Sequence, residues 1–262
     1  MDTRELLLRS ARIWTGSKKS KGGHSVSRPG RKPSASPLIS IIIPAHNEEA
    51  YLQDTLAALR KQKYPRHEII VVANGCTDRT EEVARHRCHR LVVLSQKCLG
   101  VARNLGARMA RGDLLIFLDA DTHLAPGTLR AVAKQFTRRH AAATLRGKPD
   151  SGKLAYRLIY ALKNFSHRFR LHSGSSGVII CWKEHFVRLG GFDEGLEVRE
   201  NSDLIRRLKQ FGSYKCISDV TATTSMRRYE RRGVGRIVWL WTKLWFQSLF
   251  SDLHHRKYET VR

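Results

Sequence analysis

Leu114-Leu115-Ile116-Phe117-Leu118-Asp119-Ala120-Asp121 is an apolar run that ends in two carboxylates one residue apart. Five apolar residues in succession read as a strand buried on both faces, with Asp-Ala-Asp where the chain leaves the sheet. In an open α/β sheet, ligands gather at the carboxyl ends of strands. Two carboxylates there can hold a divalent cation, and the cation can hold a diphosphate. Asp is also common in turns, so the pattern gains its meaning from its neighbours.

Working outward, strand and helix patterns alternate. Residues 38–44 form a β-branched apolar strand, and an amphipathic helix starts at Asn47-Glu48-Glu49 and runs to about Lys61. Residues 69–72, 91–94 and 114–118 read as further strands, with helices from about Thr80, over 100–111 and from Pro126-Gly127 to near Arg139. This alternation predicts a mainly parallel sheet covered by helices. The second half is less regular: helix over 153–169, strand over 177–181, helix over 201–211 closed by Gly212, strand over 215–218. The reading divides the chain into a basic flexible arm (1–37, with a short helix over 5–14), two halves of one α/β domain (38–140 and 141–225) and a basic, aromatic tail (226–262).

The chain has 262 residues, enough for one sizeable core, and a formal charge of +25. Such a charge calls for a polyanion or serves a solvated surface. No helix-turn-helix, zinc finger or RNA-binding aromatic signature accompanies it. The five cysteines show no CxxC and no zinc spacing, which predicts reduced thiols in a cytoplasmic protein. No secretory signal and no 18-residue apolar span is evident.

Three loops carry candidate chemistry. Ile43-Pro44-Ala45-His46-Asn47-Glu48 leaves the first strand and exposes backbone groups and Glu48 where a nucleoside can lie. Asn74-Gly75-Cys76-Thr77-Asp78 leaves the second; Asn74 and Asp78 offer oxygens to a base or ribose. Helix capping explains both loops equally. Gly100-Val101-Ala102-Arg103 opens a helix whose N-terminus suits anions, with Arg103 in reach of a diphosphate or simply on the surface.

Taken in order, Pro-Ala-His-Asn-Glu, Asn-Gly-Cys-Thr-Asp and Asp-Ala-Asp resemble the family 2 glycosyltransferases, over roughly residues 38 to 225. The resemblance implies a GT-A fold and inverting transfer of a sugar from a nucleoside diphosphate sugar. It also implies a divalent metal (Mn2+ or Mg2+) that stabilises the leaving diphosphate. On that pattern Asp121 is the direct metal ligand, and Asp119 contacts ribose or donor sugar beside the metal. The donor site comprises Pro44, Ala45, Asn47, Glu48, Asn74, Asp78, Arg103, Asp119 and Ala120. Gly174-Ser175-Ser176-Gly177 and Leu189-Gly190-Gly191-Phe192-Asp193-Glu194 resemble the acceptor-side segment.

Glu200-Asn201-Ser202-Asp203-Leu204 falls where the family usually carries Glu-Asp-x-Asp-Leu. Inverting transfer needs a general base on the acceptor hydroxyl, and an amide cannot serve. Either Glu200 or Asp203 takes the role, or the acceptor is already an anion such as a lipid phosphate. Glu200 also suits a helix start without any catalytic role. Ala73 stands where an acid often contacts the base, and no histidine occupies 220–225, where some relatives carry a further metal ligand.

In the tail, Arg227-Arg228 precede a segment with three of the five tryptophans, Trp239, Trp241 and Trp245, and one polar stripe of Lys243 and Gln247. This pattern fits an amphipathic helix in the interface of an anionic membrane, a helix packed on its own domain, or a homodimer contact. Ser225-Met226-Arg227-Arg228-Tyr229 resembles a subgroup of the family whose arginines lie near the donor diphosphate or a phosphorylated acceptor. The expectation is therefore a peripheral enzyme at the cytosolic membrane face, acting on a lipid-linked or glycan acceptor in cell-envelope or glycan biosynthesis. The alternative is a nucleic-acid-binding or catalytically inactive relative on the same scaffold. A nucleotidyltransferase ranks lower, for want of a Gly-rich loop that grips a triphosphate.

Overall fold

Four strands form the parallel heart of the sheet: β2 (Ile39–Ala45), β3 (His67–Asn74), β4 (Arg90–Leu94) and β5 (Leu114–Leu118). Apart from His67 at the mouth of β3, every residue in them is buried, as expected when helices cover both faces. The computed structural model describes residues 11–15, 36–169, 174–196, 198–236 and 239. Ile41 and Ile43 of β2 point into the cluster that holds Leu52, Leu56 and Leu59 of α1 (Glu49–Arg60), while Ile42 points to the opposite face. There α3 (Leu99–Met109) lies close to the sheet, because a Cβ at Gly106 would stand 2.4 Å from Ile42 Cγ2.

Topology places the site. The chain runs outward from β2 through α1 to β3, then through α2 (Thr80–Arg85) to β4; after α3 it returns to β5 on the other side of β2. The order β4-β3-β2-β5 thus reverses between β2 and β5. A crevice opens at such a switch point, outside the carboxyl ends of the strands. Pro44-Ala45 and Asp119 stand at its two lips.

Beyond β5 the sheet becomes mixed. β8 (Val178–Trp182) pairs antiparallel with β5 and with β7 (His140–Pro149), β7 pairs parallel with the long β9 (Ser213–Thr224), and β6 (Thr122–Leu124) closes that edge antiparallel. The parallel pairing expected from the alternating pattern thus holds from β4 to β5 and returns between β7 and β9, while β8 and β6 run antiparallel; β6 and β7 add to the expected strands, and β9 extends well past 218. On this side lie α4 (Thr128–Gln135), α5 (Leu154–Arg168), α6 (Lys183–Arg188), α7 (Glu200–Leu208) with a short 3-10 turn (Lys209–Phe211), and α8 (Arg227–Arg232).

The first strand departs from the short helix expected over 5–14. β1 (Arg12–Thr15), expected as the end of a helix, pairs antiparallel with β4 at the opposite edge of the nine-stranded sheet. Its Trp14 ring lies under the guanidinium groups of Arg12 and Arg85, at 5.1 and 4.6 Å. An edge strand left open on β4 is a stronger attraction than the local helix pattern. The amphipathic tail helix expected beyond 236 falls outside the described residues except at Trp239.

Candidate active site

The exits of β2 and β3 are laced together by side chains that the sequence offered as ligand donors. Asn47, in the left-handed region at φ 53°, accepts from the Thr77 N–H and donates to Thr77 Oγ1, both at 2.8 Å. The two Asp78 oxygens accept from the N–H groups of Thr80 (3.0 Å) and Glu49 (3.1 Å), so one carboxylate serves the starts of two helices. Burial pushes the Asp78 pKa up, but hydrogen bonds from the Thr80 hydroxyl and amide and the Glu49 amide outweigh it and leave it below the usual value. Asn74 is buried, and its Oδ1 accepts the Cys98 N–H at 2.8 Å, fixing the entry to α3. The backbone oxygens of Ala45 and Ala120 also face inward, toward Cys76 Sγ and Thr55 Oγ1.

The charged centre lies across the crevice. Arg103, on α3, is buried to 4% side-chain exposure and bridges Asp119 (3.3 Å) and Glu200 (2.9 Å). Its guanidinium also sits 4.9 Å from the centre of the Phe192 ring. One buried cation therefore links the Asp-Ala-Asp loop, the start of α7 and the Gly-Gly-Phe-Asp turn. A second cation, Arg227 on α8, reaches Glu48 at 2.5 Å and Asp121 at 3.1 Å, and covers the Tyr51 ring. Burial and the charge of Asp119 push the Asp121 pKa up to about 6; Arg227 and Arg228 oppose the shift and Glu48 adds to it.

Glycines let the walls close. Gly177, at φ 75°, lies so near the Asp-Ala-Asp loop that a Cβ would stand 2.6 Å from Thr122 Oγ1 and 3.4 Å from Asp119 Oδ2. Gly191, at φ 83°, approaches Asn104, whose amide donates to Phe192 O (2.9 Å) and Glu194 Oε1 (2.8 Å) and accepts from Phe192 N (2.8 Å).

The two candidate bases stand in different surroundings. Asp203 is clamped: Arg206 holds Oδ1 and Arg207 holds Oδ2, each at 2.7 Å, and Arg207 also donates to the carbonyls of Leu189 and Gly191. Glu200 meets Arg103 through Oε1 alone. Asn201 carries an Oδ1 that is buried with no hydrogen-bond partner.

Among the described residues no group of three or more His, Cys, Asp or Glu could hold a metal by itself. The donor set nevertheless suits a substrate-completed ion. Asp119 and Asp121 face one crevice, and a cationic guanidinium already sits between Glu48 and Asp121. Mg2+-type sites commonly use one or two carboxylates and take their remaining ligands from water and phosphate.

With this geometry in view, residues 40–189 match the family described as Glycosyl transferase family 2, which is more than half of the chain. The chain belongs to that family. A Haemophilus influenzae protein named an uncharacterized glycosyltransferase is 31% identical over 114 residues, 41% of this chain and 46% of the relative. Glycosyltransferase AglE of Haloferax volcanii is 38% identical over 96 residues, 34% of this chain and 32% of the relative. The chain thus spans less than half of the length of these curated relatives. Two solved structures share the GT-A fold at low identity. Mannosyltransferase PcManGT from Pyrobaculum calidifontis, solved with GDP-Man and Mn2+, superposes with a TM-score of 0.61 at 21% identity. That match covers 72% of this chain and 56% of PcManGT. TarS of S. aureus, solved with UDP-GlcNAc, gives 0.58 at 20% identity, covering 72% and 58%.

Within this family 2 chain, sequence reasoning passed over Asn104 and left Arg227 outside the site set. Residue 227 lies 179 positions from Glu48, and only the return of β9 beside β6 brings α8 back to the crevice. The signal available was the Ser-Met-Arg-Arg-Tyr motif, which carries no distance information. Tyr160, on the buried face of α5, is also near the carboxylates; burial raises its pKa above the ordinary phenol value.

Proposed function

We propose that the chain is an inverting, metal-dependent glycosyltransferase that moves a sugar from a nucleoside diphosphate sugar to an acceptor presented at the cytosolic face of a membrane. The observation that carries this reading is the convergence of Glu48, Asp119 and Asp121 with Arg103 and Arg227 at the β2/β5 switch point. Asp119 and Asp121 would hold the metal, which when bound would neutralise charge on the departing diphosphate. Arg227 is free to exchange its carboxylate partners for phosphate oxygens, since both are acceptors of the same charge-assisted bond. Pro44, Ala45, Asn47, Asn74 and Asp78 then build the rim on which the nucleoside rests, with Asn74 and Asp78 acting mainly through the loop shape they enforce.

Glu200 is the better base. Its Oε1 is fixed by Arg103 at 2.9 Å, so its other oxygen can take the acceptor proton from a defined position. Both oxygens of Asp203 are already occupied by arginines. An anionic acceptor such as a lipid phosphate would need no base and would suit the positive charge of the chain.

The test is calorimetric binding of UDP, GDP, dTDP and CDP, each with and without Mn2+. Binding of one nucleotide that requires the ion is expected. Silence toward all four would sink the donor-site reading. Steeply salt-dependent RNA binding would then favour a nucleic-acid-binding role on this scaffold.

A further inference from the structure

Helix α5 carries an apolar stripe that no other described element covers. Leu154, Leu158, Leu162 and Phe165, with Phe169 just past the helix end, are 54–70% exposed. At 3.6 residues per turn these five fall within an arc of roughly 80° and extend for about 22 Å. The Phe165 and Phe169 rings touch, with centroids 4.6 Å apart, which makes the stripe continuous at its end. Single exposed leucines are ordinary on a protein surface, but a continuous row of five large apolar side chains marks a docking face.

The orientation of the stripe is fixed. Tyr156, Tyr160 and His167 on the opposite side are buried, the two tyrosines packing with Met226. The Asn164 amide pairs with both backbone groups of Gly147, accepting at 2.8 Å and donating at 2.9 Å, which pins α5 to β7. The helix therefore cannot roll its leucines inward without breaking these contacts.

Charge selects the partner. No Asp or Glu occurs between Asp150 and Glu184, while Lys153, Arg157, Lys163, Arg168 and Arg170 do. Arg157 and Arg168 are exposed and border one side of the stripe. Lys153 pairs with Glu230 of α8 at 3.5 Å, which leaves Arg157 and Arg168 as the basic margin. An apolar face with such a margin complements the interface of an anionic bilayer, where leucine and phenylalanine enter the acyl boundary and arginine meets headgroups. No helix among the described residues is long and apolar enough to cross a membrane.

We propose that the exposed face of α5 is the surface by which this protein lies on anionic lipid. The buried face of the same helix presents Tyr160 and Lys163 toward the Asp119 side of the crevice. Seating α5 on lipid thus leaves one helix between the bilayer and the crevice wall. The functional consequence rests on the membrane-presented acceptor proposed above; the docking surface itself is tested without it.

The test is co-sedimentation of the full chain with vesicles of phosphatidylcholine alone or mixed with phosphatidylglycerol, beside the double variant Leu158→Glu/Leu162→Glu. Expected is binding to the anionic vesicles, at least tenfold weaker for the double variant, with thermal unfolding and nucleotide binding unchanged. Failure of the wild-type chain to sediment with anionic vesicles overturns the proposal. So does undiminished sedimentation of the variant, which would put lipid contact elsewhere. A wild-type dimer that the variant converts to monomer, seen by analytical ultracentrifugation, assigns the face to a second copy instead. Loss of thermal stability with retained vesicle binding assigns it to another segment of this chain. Vesicle binding without nucleotide binding would keep this inference and remove the donor-site reading.

Discussion

Arg227 Nη2 stands 2.5 Å from Glu48 Oε1 and 3.1 Å from Asp121 Oδ2, so one guanidinium on α8 gathers carboxylates from the loops that leave β2 and β5. All three side chains are only 15–18% exposed, which spares the bonds most of the solvent screening that weakens surface pairs. Removing the arginine leaves two carboxylates facing each other without a counter-charge. Arg227→Ala should therefore lower unfolding stability by about 1–3 kcal/mol in urea. Arg227→Lys should recover part of it, because the charge returns without the fork. An unchanged urea midpoint for the alanine variant would mean that water already screens the pair.

Asp121 predicts a pH dependence of the ligand-free protein. Its folded pKa of about 6 lies above the ordinary 3.8, so the folded state holds the proton more tightly than the unfolded chain. The resulting cost is absent below about pH 4, builds as pH rises to 6, and is complete above it. The size is on the order of 3 kcal/mol, since each pKa unit is worth about 1.4 kcal/mol. Asp121→Asn should raise the melting temperature at pH 7.5, leave it nearly unchanged at pH 4, and abolish sugar transfer. Thermal scans at the two pH values, with no divalent ion present, check the sign. A destabilised variant at pH 7.5 would contradict it.

The strands that frame this pair were legible because each is short, β-branched or leucine-rich and buried on both faces, as in Ile41-Ile42-Ile43 and Val71-Val72. Other elements escaped for identifiable reasons. Ala141, Ala142 and Ala143 in β7 are better helix formers than strand formers, and packing against β8 and β9 overrides that preference. β9 continues through Asp219, where an apolar pattern stops, because β7 and β6 supply its ladder partners. β1 pairs with the edge of β4, a partner about 80 residues along the chain that its own four residues do not announce.

In the site, Asp119 and Asp121 stood out by type and spacing, whereas the uses of Asn47 and Asp78 did not. An Asn or Asp oxygen that ties two loops has the same sequence signature as one that meets a ligand. Only the distances to Thr77, Thr80 and Glu49 show where those atoms are engaged.

Glu200 and Asp203 should separate cleanly in kinetics. Glu200→Gln keeps the bond to Arg103 but removes the basic oxygen, so kcat should fall by about 10²-fold or more with KM little changed. Asp203→Asn removes the charge that holds Arg206 and Arg207, and through Arg207 the carbonyls of Leu189 and Gly191. Its main effect should be a loss of stability of about 1–2 kcal/mol, with kcat little changed. If the acceptor is a lipid phosphate, Glu200→Gln should keep nearly full activity, which would identify the acceptor as an anion.

Gly177→Ala tests how closely β8 must approach the Asp-Ala-Asp loop. At φ 75° an alanine is strained before any contact is counted, and its Cβ would meet Thr122 Oγ1 at 2.6 Å. Thr122 is fully buried and its hydroxyl bonds to Thr224, while Asp119 N–H donates to the carbonyl of Gly177 itself. The clash cannot relax by swinging a flexible side chain; it must move the loop that carries both carboxylates. The expected result is a loss of about 2 kcal/mol of stability. A larger loss of nucleotide affinity in Mn2+ should accompany it, because Asp119 and Asp121 shift together. Calorimetry and urea unfolding on the same preparation decide the matter. Equal nucleotide affinity at reduced stability would show that the loop tolerates displacement and that the glycine serves the fold alone.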